Sequence, residues 1–227
     1  MSQSAPATNH LTRLLDIGSS VPGLLAETDK VLSNIRAEHF VYGLLRKLDT
    51  TREAIVGWIN DFWSSMDHEI SVAIDIKEME AYNEEMHGDS TFLPLFKFAS
   101  YTTAWRILLG WTFHYTVLKA IRDILTTRPD IVYKHQATEL ETDMLRVITK
   151  LCMAIPQLFA KHFGATGRMA IVLPLTIVTE FYLSRGQAME LDWCQRVAKV
   201  AYSPREGVKP IWMPEWKEGL HVRARGS

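Results

Sequence analysis

The chain lacks the sequence motifs of the common catalytic sites. It contains no GxSxG nucleophile elbow, no phosphate-binding loop, no GxGxxG turn and no HExxH zinc motif. Only two of its 227 residues are cysteines, Cys152 and Cys194, and both fall within apolar helical patterns. We expect buried free thiols in a reducing compartment, the cytoplasm or the nucleus, rather than a disulfide or a metal pair. The sequence therefore predicts no metal site and no cofactor.

An excess of positive charge is also missing. The 25 basic and 26 acidic residues give a formal net charge of -1. Surfaces that bind nucleic acid broadly carry a clear cationic excess, so we expect no direct nucleic-acid contact. The N-terminal segment MSQSAPATNH lacks the basic start and apolar core of a secretory signal.

Long hydrophobic runs are absent as well. The longest, Met169 to Leu183, is shorter than the roughly 18 residues of a membrane span, and it contains Pro174 and Glu180. We therefore predict a soluble protein that makes no membrane contact.

The sequence does contain helical periodicity throughout. Its 47% hydrophobic content is enough to bury a sizeable core. The apolar spacing predicts an all-α, single multi-helix domain over residues 10–205. Residues 1–9 are expected to be disordered, and residues 206–227 to form an extended tail anchored by Trp212 and Trp216. Two apolar helices, roughly 99–126 and a later one broken by Pro174, are expected to form a buried central pair.

Residues 64–91 are harder to assign. Ile70, Val72, Ile74 and Ile76 alternate with polar residues, which formally indicates a strand. A single strand would have no partner in a helical domain, so we favour a loop or irregular segment that crosses the helical layer. The acidic piece KEMEAYNEEMHGDS is expected to be solvated, and this region could accommodate a lid. The residues FLPLF that follow are interpreted as the entry to the next helix.

Aromatic residues on one predicted central helix suggest a ligand cavity. Trp105, Trp111, His114 and Tyr115 lie on this helix, and their rings can stack on a flat ligand while their polar atoms orient it. The alternative is that they are core aromatics with satisfied polar tips. We take Trp105, Trp111, Tyr115 and Tyr182 as candidate ligand-binding residues.

Glu180 is the acidic residue within the apolar stretch VLPLTIVTEFYL. A carboxylate in such surroundings is either paired or has a raised pKa, which is the condition for an acid or base. Alternatively, Glu180 points to the solvent edge or pairs with Arg168 or Arg185. Glu180 and His114 are the candidate catalytic residues.

The order of these segments resembles the C-terminal regulatory region of fungal zinc-cluster transcription factors. The resemblance covers most of residues 11–205. It is carried by LLDIGSSVPGLLAETDKVL, FLPLFKFASYTTAWRILLGW, ITKLCMAIPQLF, MAIVLPLTIVTEFYL and ELDWCQRVAKVA. It implies an all-helical fold that senses metabolites or contacts other regulators, and it implies no enzymatic activity.

The chain departs from that family at its DNA-binding element. The family carries a six-cysteine zinc cluster near the N-terminus, whereas here no cysteine precedes Cys152. If the opening methionine marks a complete chain, this is a regulator-like domain without its DNA reader. We expect it to bind a hydrophobic metabolite or a protein regulator, in fungal secondary metabolism.

A second hypothesis is a biosynthetic enzyme of the cyclase or isomerase type that evolved from such a domain. It would act on a hydrophobic pathway intermediate and use shape with a few polar groups. A cavity of roughly 300 Å³ or more that exposes Glu180 would favour it, and a closed core would oppose it. Packing of an apolar helix face on a second copy would give a homodimer.

Overall fold

The structure, a computed structural model, describes residues 8–33, 38–160 and 163–202. The all-α expectation is confirmed, since these residues form one helical domain with a two-stranded ribbon. The helices are α1 (Thr8–Ser19), α2 (Val21–Ser33), α3 (Glu38–Ser65), α4 (Glu80–Met86), α5 (Tyr101–Thr127), α6 (Ala137–Ala154), α7 (Gly164–Leu183) and α8 (Ala188–Tyr202). Residues 1–7 and the tail with Trp212 and Trp216 lie outside the described residues, and α1 begins two residues before the expected start.

Helix α5 is the centre of the domain. Its N-terminus is capped by Ser100, whose side chain accepts a hydrogen bond from the backbone N–H of Thr103. Buried residues then occur on nearly every side of the helix, which packs between α3 and α6. The approach to α3 is close because Gly110 faces the Trp58 ring: a Cβ at position 110 would lie 2.7 Å from it.

Helix α7 is the second strongly apolar helix, and unlike α5 it is buried on one side only. It is continuous from Gly164 to Leu183, so the expected break at Pro174 is wrong. Proline removes one backbone hydrogen bond, but packing of the buried side sustains the helix through that position. Gly167 allows close contact with the preceding 3-10 turn, because a Cβ there would lie 2.4 Å from the Leu158 carbonyl. The opposite side, with Met169 and Leu173, is exposed.

The prediction that residues 64–91 form an irregular segment is partly wrong. Strand β1 (Ile70–Ala73) pairs antiparallel with β2 (Leu95–Phe98), so the alternating pattern did indicate a strand. Its partner lies within residues that the sequence presents as an apolar entry to α5. Pairing satisfies the backbone groups that an isolated strand would leave exposed.

The acidic segment after β1 is not wholly solvated. It forms α4, and Met79, Tyr82 and Met86 are buried against the rest of the domain. The Tyr82 hydroxyl accepts a hydrogen bond of 2.8 Å from Trp193 Nε1 on α8. Spacing of three and four residues places these apolar side chains on one helical face, with the acidic residues between them.

Both cysteines are buried and free, as expected. Cys152 Sγ lies 3.8 Å from the hydroxyl oxygen of Tyr182, and burial raises the pKa of both groups. Burial also raises the pKa of Cys194 to about 12. Thiols of this kind act as small apolar side chains rather than as nucleophiles.

Candidate functional site

A pocket of about 240 Å³ opens to solvent between α3, α5 and α6. Each helix contributes residues three, four or seven positions apart, which places them on one face. The lining consists of Arg52, Val56, Ile59 and Asn60 from α3, Trp111 and His114 from α5, and Asp143, Arg146, Val147 and Lys150 from α6.

The apolar part of the pocket is built on Trp111. This residue is 1% exposed and packs beside Trp63, with ring centroids 5.9 Å apart. Ile59 and Val147, both buried, complete the apolar surface. The ammonium of Lys150 lies 5.9 Å from the Trp111 ring centroid, a separation at which a cation is attracted to an indole face.

Two of the three cations that line the pocket have carboxylate partners. Arg146 pairs with Asp143 one helical turn away. Arg52 donates to Asp49 Oδ1 at 2.9 Å and lies 3.3 Å from His135 Nε2. The positive charges of these two guanidinium groups are therefore balanced within the protein.

Asp49 anchors Arg52 from behind the pocket. Burial would raise the pKa of this carboxyl, but hydrogen bonds with Lys134, His135 and Arg52 outweigh burial and lower it. Asp49 is therefore a charged, structurally satisfied group, and its network holds the Arg52 side chain at the pocket wall.

Lys150 is the third cation, and no carboxylate of the described residues pairs with it. Burial, together with the nearby positive charge of Arg146, lowers its pKa. A partly buried ammonium without a counter-ion has lost hydration, which only the nearby Trp111 ring offsets. It is the one uncompensated cation among the described residues that line this pocket.

His114 is the polar group of the pocket on α5. Its Nε2 is buried and has no hydrogen-bond partner. Burial and the positive charge of Arg52 lower its pKa from 6.5 to about 4, so the ring is neutral at pH 7. A neutral imidazole with a free ring nitrogen can donate or accept one hydrogen bond, depending on its tautomer.

Of the six residues predicted from the sequence, only Trp111 and His114 line this pocket. Tyr115 is buried and packs edge-to-face on Phe181 at 6.0 Å, and burial raises its pKa to about 12. Tyr182 packs beside Phe92 and Cys152, and Trp105 is half-buried. The single aromatic cavity expected for Trp105, Trp111, His114 and Tyr115 is therefore not formed by these four residues together.

Glu180 lies on the exposed side of α7 and does not line the pocket. This position matches the alternative in which Glu180 points to the solvent edge. Arg185 instead pairs with Glu141, and Arg168 donates to the Val200 carbonyl at 2.8 Å. The structure does not bring Glu180 and His114 to one site.

The charged wall was missed by reasoning from the sequence. Asp143, Arg146 and Lys150 follow one another at three- and four-residue spacing on α6, which is a legible polar stripe. Such stripes usually face solvent. Nothing in the sequence shows that this one faces Trp111 or that Arg52, about a hundred positions earlier, joins it.

Metal-binding clusters and the apolar helix α7 concern two other kinds of site. Within the described residues, no group of three or more histidine, cysteine or acidic side chains could hold a metal ion. Helix α7 is long and apolar enough to cross a membrane by length and composition, with 44% of that window buried. Its packing on α8, α5 and α6 is that of a core helix, and core helices satisfy the same criteria.

Comparisons with known proteins give no match: no family model, no curated protein and no solved structure resembles this chain at a significant level.

Proposed function

We propose that this chain is a binding domain for a small hydrophobic molecule and that the pocket between α3, α5 and α6 is its site. The observation that carries the proposal is a pocket with apolar lining residues and two polar groups: His114 Nε2, which has no hydrogen-bond partner, and the Lys150 ammonium, which has no carboxylate partner among the described residues. Ligand sites commonly combine apolar walls with a few convergent polar groups.

The regulatory role rests on the resemblance to fungal zinc-cluster regulators. In that role the bound molecule is a metabolite of secondary metabolism, and the domain acts in the cytoplasm or nucleus without contacting nucleic acid itself. A protein regulator or a second copy of the chain would read out the bound state. The exposed apolar side of α7, with Met169, Leu173 and Leu183, is the surface available for such a contact.

A matched pair of variants tests the pocket. Val56→Phe places a larger side chain at a half-buried lining position, whereas Leu145→Phe enlarges an exposed residue of α6 outside the pocket. Titration calorimetry with 2-naphthol should show binding to the wild type and to Leu145→Phe. It should show at least about tenfold weaker binding to Val56→Phe, because the added ring occupies ligand volume.

Thermal unfolding of both variants controls for misfolding. Absence of naphthol binding to the wild type, or equal binding to a folded Val56→Phe, would remove the pocket as the site.

A cyclase or isomerase is the second candidate, and His114 is the observation that favours it. A neutral imidazole with an unpartnered Nε2 in a pocket can exchange a proton with a bound molecule, and its pKa of about 4 makes it a weak base at pH 7. The pocket is smaller than the roughly 300 Å³ expected, and Glu180 is outside it. Incubation with hydrophobic pathway intermediates should therefore give turnover that His114→Gln abolishes and Glu180→Gln retains. Loss with Glu180→Gln alone would contradict this assignment.

A further inference from the structure

The charges of the pocket restrict the class of ligand, on the premise that the pocket is the binding site proposed above. Among its lining residues three cations face one carboxylate, Asp143, and His114 is neutral at pH 7. Arg146 is paired with Asp143, and Arg52 is paired with Asp49 behind the wall. The uncompensated charge is therefore a single positive one, on Lys150.

The position of Lys150 fixes where an anion would sit. Its ammonium lies above the Trp111 ring, at 5.9 Å from the centroid. A group bound to this ammonium at hydrogen-bond distance would lie in the pocket, next to its apolar lining residues. Among these, Val56 is half-buried, whereas Ile59, Trp111 and Val147 are buried behind it, so the body of the ligand would meet hydrocarbon.

The pocket volume and the single uncompensated charge exclude larger anions. About 240 Å³ is just below the roughly 300–1,000 Å³ of drug-sized ligand pockets, so the enclosed part of the ligand has one or two rings. Nucleotides and other polyphosphates need several cations or a helix N-terminus with its free N–H groups. Here one free ammonium is available, which matches one carboxylate.

We infer that the pocket binds an aryl carboxylate: the carboxylate pairs with Lys150, the ring system packs against the apolar lining residues, and His114 Nε2 hydrogen-bonds a ring substituent. Binding gives Lys150 a counter-ion, which the described residues of the protein do not provide. The neutral state of His114 allows it to recognise a hydroxyl or carbonyl without adding a second charge to the site.

Two ligands of the same shape test the inference. Titration calorimetry at pH 7 compares 2-naphthoate with 2-naphthamide, which replaces the anionic carboxylate by a neutral amide. We expect naphthoate to bind the full chain at least about tenfold more tightly, as is typical of a hydrogen bond to a charged group. In Lys150→Met this preference should disappear while naphthamide binding is unchanged.

Lys30→Met is the matched control, because Lys30 is an exposed lysine of α2 outside the pocket. It should bind both ligands as the wild type does. Equal affinity of the wild type for naphthoate and naphthamide would overturn the carboxylate inference while leaving an apolar pocket in place. Failure of both ligands to bind would overturn the proposed function as well. A preference for naphthoate that survives in a folded Lys150→Met would place the anion elsewhere.

Discussion

Tyr182 and Trp111 are both buried aromatic residues on strongly apolar helices, yet they lie in opposite kinds of environment. Around Tyr182, polar atoms meet protein partners: its hydroxyl lies near Cys152, and neighbouring Trp193 donates to Tyr82. Beside Trp111, α3, α5 and α6 leave a pocket, His114 Nε2 has no hydrogen-bond partner, and Lys150 has no carboxylate partner among the described residues. This difference separates a packed core from the candidate site more clearly than aromatic content does.

The largest expected effect concerns the core side of this comparison. Trp193→Ala should lower the free energy of unfolding by about 3–5 kcal/mol, because it removes a fully buried ring and leaves the Tyr82 hydroxyl without its donor. Trp105→Ala is the control, since Trp105 is only partly buried and the loss should be clearly smaller. Urea unfolding curves measure both, and equal losses would contradict the assigned burial.

The next effect is a pH dependence of stability that arises from His114, beside Trp111, and not from the region around Tyr182. His114 has a folded-state pKa of about 4 against 6.5 ordinarily, so below pH 6.5 the unfolded chain takes up a proton that the folded chain does not. Stability should therefore fall between pH 6.5 and 4, by about 3 kcal/mol at most, and this contribution should level off below pH 4. The thiols and hydroxyl around Tyr182 should not contribute to this loss of stability, because burial raises their pKa further above this pH range.

The measurement is the difference between the wild type and His114→Gln in urea unfolding at pH 7 and pH 4.5. The carboxyl groups titrate in both proteins, so their effect on stability cancels in the difference. A parallel pH dependence in the two proteins would show that His114 is not buried as described.

A smaller effect on stability distinguishes a cation that has a carboxylate partner, Arg185, from one that has none among the described residues, Lys150. Arg185 pairs with Glu141, donates to the Phe181 carbonyl at 3.1 Å and stacks on the Phe181 ring at 3.5 Å. Arg185→Met should destabilise the fold by about 1 kcal/mol. Lys150→Met should instead stabilise it by about 0.5–1 kcal/mol, because it removes a desolvated charge without a counter-ion. Changes of the same sign, measured by thermal unfolding without ligand, would contradict the distinction.

Much of the fold could be predicted from the sequence because local periodicity sets it. The start of α6 at Ala137 and the place of Pro22 in the first turn of α2 follow from spacing and helix-terminus chemistry. The pairing of β1 with β2 could not be predicted in this way, because the two strands are separated by α4 and β2 leads directly into an apolar helix. Proline at position 174 was given too much weight against the packing of α7.

The site could be predicted only in part for a related reason. Trp111 and His114 were identifiable because one helical turn on a single element joins them. Lys150 and Arg52 belong to helices that meet α5 only through tertiary packing, and charged residues on helices usually face solvent. The sequence left two positions open for Glu180, within an apolar core or at the solvent edge, because only tertiary packing decides which side of α7 is covered.

The close approach of Gly110 to Trp58 has a consequence for how such a domain could diversify. Gly110 does not line the pocket, but it sets the spacing between α3 and α5, which form two of its walls. A side chain at this position would act as a spacer and widen the gap. The volume of the proposed binding pocket can thus change through helix spacing, while Lys150 remains in its lining.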